Sequence, residues 1–109
     1  MKVKTYPEEL VELAKFFKAL SHPVRVHILK ELSKMNSCCY SSDIAKDLEI
    51  SPSTLSQHLK ELKYVGLIQG EIEAPYIKYC INRENWNKAK NIMSDFFKEF
   101  NEIKCNVNK

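Results

Sequence analysis

Apolar residues recur along most of this chain at intervals of three and four, and the spacing changes to strict alternation only once. In Pro7–Leu20, the residues Leu10, Leu13, Ala14, Phe17 and Leu20 form one apolar stripe, which predicts an amphipathic helix with Phe16 off the stripe. Pro7 suits the first turn, and Glu8 and Glu9 suit the positive end of the helix dipole. Ser21 is the expected cap and Pro23 the first residue of a second helix. That helix continues through Val24–Lys34, with Val24, Ile28, Leu29 and Leu32 on one face. A polar break spans Asn36–Cys39. Ser41 or Ser42 is then expected to cap a short helix through Leu48, with Asp43 in its first turn and Ile44, Ala45 and Leu48 inward.

The stretch Glu49-Ile50-Ser51 predicts a tight turn. Ser51 is placed to cap a further helix through Lys63, with Pro52 in its first position. Gly66 supplies a left-handed C-terminal cap. Beyond it the period becomes two: Ile68, Gly70 and Ile72 alternate with polar positions, as do Ile77, Tyr79 and Ile81. With "EAPY" between them, these segments predict a β-hairpin. A long helix is expected over Arg83–Lys104. In it Ala89, Met93, Phe96, Phe100 and Ile103 follow the spacing of a helix–helix seam, widened by Ile92 and Phe97. Together with Phe16, this is more apolar surface than a short chain can bury by itself. Two readings follow: the terminal helices only cover the core, or they also build a homodimer interface.

The order helix, helix, helix–turn–helix, hairpin, helix defines the expected fold class. It is mainly α with a small β-hairpin: a winged helix-turn-helix of five helices plus wing, with dimerising terminal helices. Residues 1–109 are read as one such domain, with terminal helices at 7–20 and 83–104, the helix-turn-helix at 41–63 and the wing at 67–82.

The helix after Ser51 opens with "SPSTLSQH", residue types that are mediocre helix formers. With Leu55, Leu59 and Leu62 inward, Ser53, Ser56, Gln57 and Lys60 occupy the opposite face, with Thr54 and His58 on the flank. In a helix-turn-helix the second helix lies in the DNA major groove and its leading residues meet base edges. Short side chains allow close approach, Gln can bond adenine, and Ser or Thr can donate or accept. Each such residue taken singly is also what a solvated face would show; the combination of turn, wing and seam favours DNA reading.

Composition changes this picture little. The chain has 109 residues, is 44% apolar and 28% charged, and contains two Gly and four Pro, which suits one globular, mostly helical unit. A net charge of +3 permits a polyanionic partner without requiring one. No apolar run approaches the ~20 residues that cross a bilayer, and the start lacks a signal-peptide core, so no membrane association and a cytoplasmic location are expected. No nucleophile–base set and no Gly-rich phosphate loop point to an enzyme. A protein–protein adaptor is disfavoured by the polar leading turn, where apolar anchors would be needed.

The strings "FKALSHPVRVHILKEL", "SSDIAKDLEISPSTLSQHLKELKYVGLI" and "YIKYCIN" resemble the ArsR/SmtB family of bacterial winged-helix repressors. The resemblance covers roughly Leu13–Asn82, and the final helix fits the family's dimerising helix. It implies a homodimer that binds a double-stranded operator and leaves it when an inducer binds. It carries the recognition role onto Ser53, Thr54, Ser56, Gln57 and His58, alongside Ser51 and Lys60 from the reading above. It carries wing contact only loosely onto Lys78 and the Glu73–Tyr76 turn, where Glu71 and Glu73 are poor phosphate partners.

Family members sense metals, arsenite or sulfur species. The zinc site some build on the last helix is missing, since no His follows Arg83. The arsenite string is missing too: Tyr40, Ser42 and Ala45 stand at its Cys positions. Lys30 stands near the first Cys of the sulfur sensors. Cys38 and Cys39 lie just upstream of the helix-turn-helix. In a winged helix this connector forms a short strand beside the wing's second strand, which would bring one of them near Cys80. Cys105 would reach across the dimer or fray. Clustered thiolates suit a thiophilic ion such as As(III) or Cu(I). They also suit a reversible disulfide, and Cys equally serves as a small buried apolar residue.

Overall fold

A computed structural model describes residues 5–34, 38–73 and 75–100. Its elements are α1 (Glu8–Ala19), α2 (Pro23–Lys34), β1 (Cys39–Tyr40), α3 (Ser41–Leu48), α4 (Pro52–Tyr64), β2 (Ile68–Glu73), β3 (Tyr76–Ile81) and α5 (Arg83–Lys98). The five helices and the wing are as the periodicity predicts. The sheet gains one strand beyond the hairpin: β1 pairs antiparallel with β3, giving the order β1-β3-β2.

The hairpin register explains its alternating pattern. Ile68 faces Ile81, Gly70 faces Tyr79 and Ile72 faces Ile77, so the apolar positions of both strands share one face. Gly70 leaves room for the Tyr79 ring, whose Cε1 would stand 3.2 Å from an added Cβ.

The core collects Ile28, Leu29 and Leu32 from α2, Ala45 from α3, Leu55, Leu59 and Leu62 from α4, Leu67 and Ile68 from the wing, and Ala89 from α5. Each fully buried leucine of α4 contributes about 1.5–3 kcal/mol of apolar transfer energy.

Three local expectations are corrected. In α1 the buried residues are Leu13, Phe16 and Ala19, whereas Leu10 and Ala14 are exposed and Phe17 is half-buried. The helix is turned so that Phe16 and Ala19 enter the core beside Leu13, while Leu10 and Ala14 of the predicted stripe face outward. Ser21 does not cap α2; its hydroxyl donates to the Lys18 carbonyl (2.6 Å), and His22 Nδ1 accepts from the Val24 N–H (3.1 Å). Ser41 and Ser42 lie inside α3, whose cap position is Tyr40, without a side-chain cap bond.

In α5, Ala89 is buried and Ile92, Met93 and Phe96 are half-buried, while Phe97 and Phe100 are 59% and 48% exposed. Phe17 of α1 meets the Phe96 and Phe97 rings edge-on at 5.9 and 6.0 Å. Glu12 and Lys88 add an ion pair at 2.8 Å. Helix α5 ends at Lys98, short of the expected Lys104; Ile103 and Cys105 lie outside the described residues. Among the described residues no helix is long and apolar enough to cross a membrane.

Candidate nucleic-acid interface

The turn between α3 and α4 is built by backbone geometry. Glu49 adopts a left-handed conformation (φ 54°), so its N–H reaches the Lys46 carbonyl at 3.3 Å and the Ile50 N–H reaches the Ala45 carbonyl at 3.2 Å. These two bonds satisfy carbonyls that α3 would otherwise leave open. The chain then enters α4 at once.

Ser51 caps α4 by accepting from the Thr54 N–H at 3.2 Å, with Pro52 beginning the helix. Its hydroxyl donates to Thr54 Oγ1 at 2.8 Å and lies 3.3 Å from the Ser53 hydroxyl. The leading end of α4 therefore carries a linked row of three hydroxyls on the first turn. Ser53, Thr54, Ser56, Gln57 and Lys60 are all exposed, while Leu55, Leu59 and Leu62 are 0–2% exposed. One helix thus holds a fully buried face and a short polar face, as its sequence predicts.

His58 lies on the flank of this face. It is half-buried, and its ring meets that of His22 with centroids 4.4 Å apart. Burial, then the neighbouring His22 and Arg25, lower its pKa. Its ring is a joint with α2 rather than part of the open polar face.

Lys78 is half-buried, with its ammonium 5.1 Å from the centre of the Tyr40 ring. Tyr40 also meets Tyr76 edge-on at 5.7 Å. Sequence reasoning missed this group. The signal was present, because a strand through Cys39–Tyr40 puts Tyr40 opposite Lys78. The Glu73–Tyr76 turn includes Ala74, which lies outside the described residues. Between wing and helix-turn-helix lies a groove of about 260 Å³, lined by Ser41, Ser42, Ser56, Ile77 and Tyr79 among others.

Cys38 and Cys80 are joined in a disulfide, with Cα atoms 4.4 Å apart. Cys39 does not join them. It keeps its thiol and packs against the core, lining a cavity of about 240 Å³ with Ile28, Leu32, Ile44 and Leu48. Burial, then Asp43 and Glu31, push its pKa up. Among the described residues no group of three His, Cys, Asp or Glu side chains is arranged to hold a metal ion. The expected Cys38, Cys39 and Cys80 set is therefore split: adjacent residues of an extended segment point to opposite faces.

At the other end of α4, the Gly66 N–H bonds the Lys63 carbonyl (2.9 Å) and the Leu67 N–H bonds the Leu62 carbonyl (3.1 Å). Gly66 has φ +81°. Asn82 caps α5 by accepting from the Asn85 N–H at 3.2 Å, and Asn85 Nδ2 donates to the Gly66 carbonyl at 3.1 Å. The end of the polar-faced helix is thereby tied to the start of α5.

A tight helix-turn-helix backed by a three-stranded wing and flanked by two terminal helices defines a winged helix-turn-helix protein. A sequence profile described as "Bacterial regulatory protein, arsR family" matches residues 22–69. The chain is 33% identical over 84 residues to the arsenical resistance operon repressor of Bacillus subtilis (strain 168), covering 77% of this chain and 79% of that one. It is 36% identical over 75 residues to the cadmium resistance transcriptional regulatory protein CadC homolog of Staphylococcus aureus, covering 69% of this chain. That match spans 61% of the CadC homolog, less than two thirds of its length. The structure resembles an ArsR-like transcriptional regulator from Rhodococcus sp. RHA1 with a TM-score of 0.68 and 28% identity, covering 84% of each chain. The chain belongs to the arsR family of bacterial regulatory proteins.

Proposed function

We propose that this chain is a homodimeric transcriptional repressor that reads a double-stranded operator with α4 and leaves it when an inducer acts on its cysteines. One observation carries the reading of DNA: the exposed row Ser53, Thr54, Ser56, Gln57 and Lys60 at the leading end of a helix whose other face is buried. Gln57 is the candidate for bidentate contact with adenine, and Ser53, Thr54 and Ser56 for base edges or phosphate. Ser51 holds the first turn. Lys60 is the candidate phosphate contact. Lys78, over Tyr40, contributes through the wing. Such a protein works in the cytoplasm, beside its DNA.

Dimerisation would use the apolar surface that the terminal helices leave open. Leu10 and Val11 of α1 are exposed, as are Phe97 in α5 and Phe100 just beyond it. Pairing there would present two copies of α4 to successive major grooves, ~34 Å apart. Sedimentation of the wild type and of Leu10→Glu tests this: a dimer that the charged variant splits supports it, and a monomeric wild type refutes it.

The names of the two relatives, concerned with arsenical and cadmium resistance, support a thiophilic ion such as As(III) as inducer. The reduced Cys38 and Cys80 thiols would be its ligands. The disulfide favours a second reading, thiol redox or sulfur-species sensing, because a bonded pair offers no thiolate to an ion. Selecting bound duplexes from random DNA tests the operator reading, and affinity should fall steeply between about 50 and 200 mM salt through counterion release. A winged-helix protein adaptor would yield no selected sequence. Adding As(III) or a disulfide oxidant to the complex after reduction of the pair, with Cys38→Ser and Cys80→Ser as controls, separates the two inducers.

A further inference from the structure

The contact between His22 and His58 belongs to neither the open polar face nor the cysteines, and it joins two helices by groups that can each gain a proton. The ring centroids lie 4.4 Å apart with the planes at 47°. His22 also caps α2, its Nδ1 accepting from the Val24 N–H at 3.1 Å. That bond exists only while Nδ1 carries no proton; protonation turns the acceptor into a donor and leaves an N–H of the first turn open.

Beside the two rings lies Arg25, whose Nη1 donates to the Lys18 and Ala19 carbonyls of α1 at 3.4 and 3.3 Å. Its Nε is buried with no hydrogen-bond partner among the described residues. Helices α1 and α2 thus bring the cluster a guanidinium, an imidazole and two neutral carbonyls. Element α3 and strand β2 meet the core side of α4 through Ala45 and Ile68. The nearby carboxylate of Asp47 lies 3.9 Å from a different ring, His27.

We propose that the His22–His58 contact is a proton-sensitive joint that seats the recognition helix on α2 while both rings are neutral and loosens when either is charged. This rests on the DNA-reading role of α4 given above. A second charge would stand against the Arg25 guanidinium, and a proton on His22 Nδ1 would also remove the cap of α2. The direction of the His58 titration agrees: burial, His22 and Arg25 all favour its neutral form. The folded pKa lies below the unfolded one, so the seated joint is fully present above about pH 6.5 and is lost as pH falls through the folded value. Selective binding needs the seated helix, and every molecule in the charged form is withdrawn from it. Attraction to phosphate in general is only strengthened by added positive charge. Acid should therefore erode sequence selectivity while sparing non-selective binding.

The test uses the full chain, a duplex selected by it from random DNA, and a scrambled duplex of the same composition. Both affinities are measured at constant ionic strength from pH 8 down to about pH 5.5, for wild type, His22→Asn and His58→Gln. Asparagine can cap a helix but does not titrate in this range. In the wild type the ratio of the two affinities should fall up to about tenfold per pH unit below the folded pKa. In each variant, which keeps one of the two rings, the fall should be shallower. A wild-type ratio that is flat or rises on acidification overturns the joint, as does an unchanged slope in both variants. If no duplex is preferred even at neutral pH, the DNA-reading role fails. Proton resonances of the free protein then decide the joint separately. The Val24 amide, bonded to His22, should shift as the His58 ring titrates in the wild type and should follow a displaced midpoint in His58→Gln; a Val24 amide indifferent to the titration, or one with the same midpoint in both proteins, overturns it.

Discussion

Cys38 and Cys80, 42 positions apart, are bonded with their Cα atoms 4.4 Å from each other, and the loop they close contains the whole helix-turn-helix. Strand β1 is only two residues long, and this link adds a covalent restraint to its pairing with β3 at the entry to α3. Helix α3 follows β1 directly. Any change at this pair is therefore felt at the lead-in to the recognition unit.

Reduction of that bond should lower stability. For a closed loop of this length the chain-entropy relation gives about 4 kcal/mol, as an upper figure for a reduced state that unfolds fully. Urea unfolding with and without reductant measures it, and Cys80→Ser should match the reduced wild type. Equal midpoints would mean the pair is not bonded in solution.

Loss of the Ser51 hydroxyl should cost about 1 kcal/mol, since it removes the cap of α4 and the partner of Thr54. Thermal unfolding of Ser51→Ala gives the value. Ser51→Asp should recover most of it, because a carboxylate also accepts from the first turn.

On a selected duplex, Gln57→Ala should cost about 1–3 kcal/mol and relax preference at one base pair. On scrambled DNA it should cost little. Lys60→Ala should weaken both duplexes alike and reduce the salt slope by about one contact. Equal losses on both duplexes for Gln57→Ala would argue against base reading.

The two left-handed positions should respond in opposite ways. Glu49 has φ 54° without being glycine, so Glu49→Gly should be neutral or stabilise by up to about 1 kcal/mol. Gly66 has φ +81°, and an added Cβ would stand 2.6 Å from Asn85 Nδ2. Gly66→Ala should destabilise by more than about 1 kcal/mol and break the tie to α5. Denaturant midpoints of the two variants check both signs.

Cys39 should be slow to alkylate at neutral pH. Burial, Asp43 and Glu31 raise its pKa, so the reactive thiolate is scarce there and grows only in the alkaline range. The rate should rise with pH through a midpoint above that of a free thiol, and Asp43→Asn should shift this midpoint down. A rate already level at neutral pH would contradict the placement.

Much of the recognition unit was legible in the sequence because it is decided locally. The spacing of Leu55, Leu59 and Leu62 fixes which side of α4 is polar. Ser51-Pro52 marks its start and Gly66 its end. The alternation of Ile68, Gly70 and Ile72 with Ile77, Tyr79 and Ile81 fixes the hairpin register, since a slip by one residue would turn every apolar side chain to the other face.

The first helix shows where such reasoning stops. Leu13 belongs to two overlapping stripes, one through Leu10, Ala14 and Phe17 and one through Phe16 and Ala19. Their apolar content is similar, so periodicity does not choose between them. The choice falls to what α1 packs on, and Phe16 fills the core.

From the sequence alone came five helices, a wing, the buried and polar faces of α4 and its capping residues, because each depends on neighbours within one or two turns. The tertiary structure decided which face of α1 is buried, that His22 rather than Ser21 caps α2 and meets His58, that Lys78 lies over Tyr40, and that Cys38 pairs with Cys80 while Cys39 turns to the core. Apart from the His22 cap, these contacts join residues far apart along the chain. No local pattern encodes them; they arise only when packed elements bring particular side chains within a few ångströms.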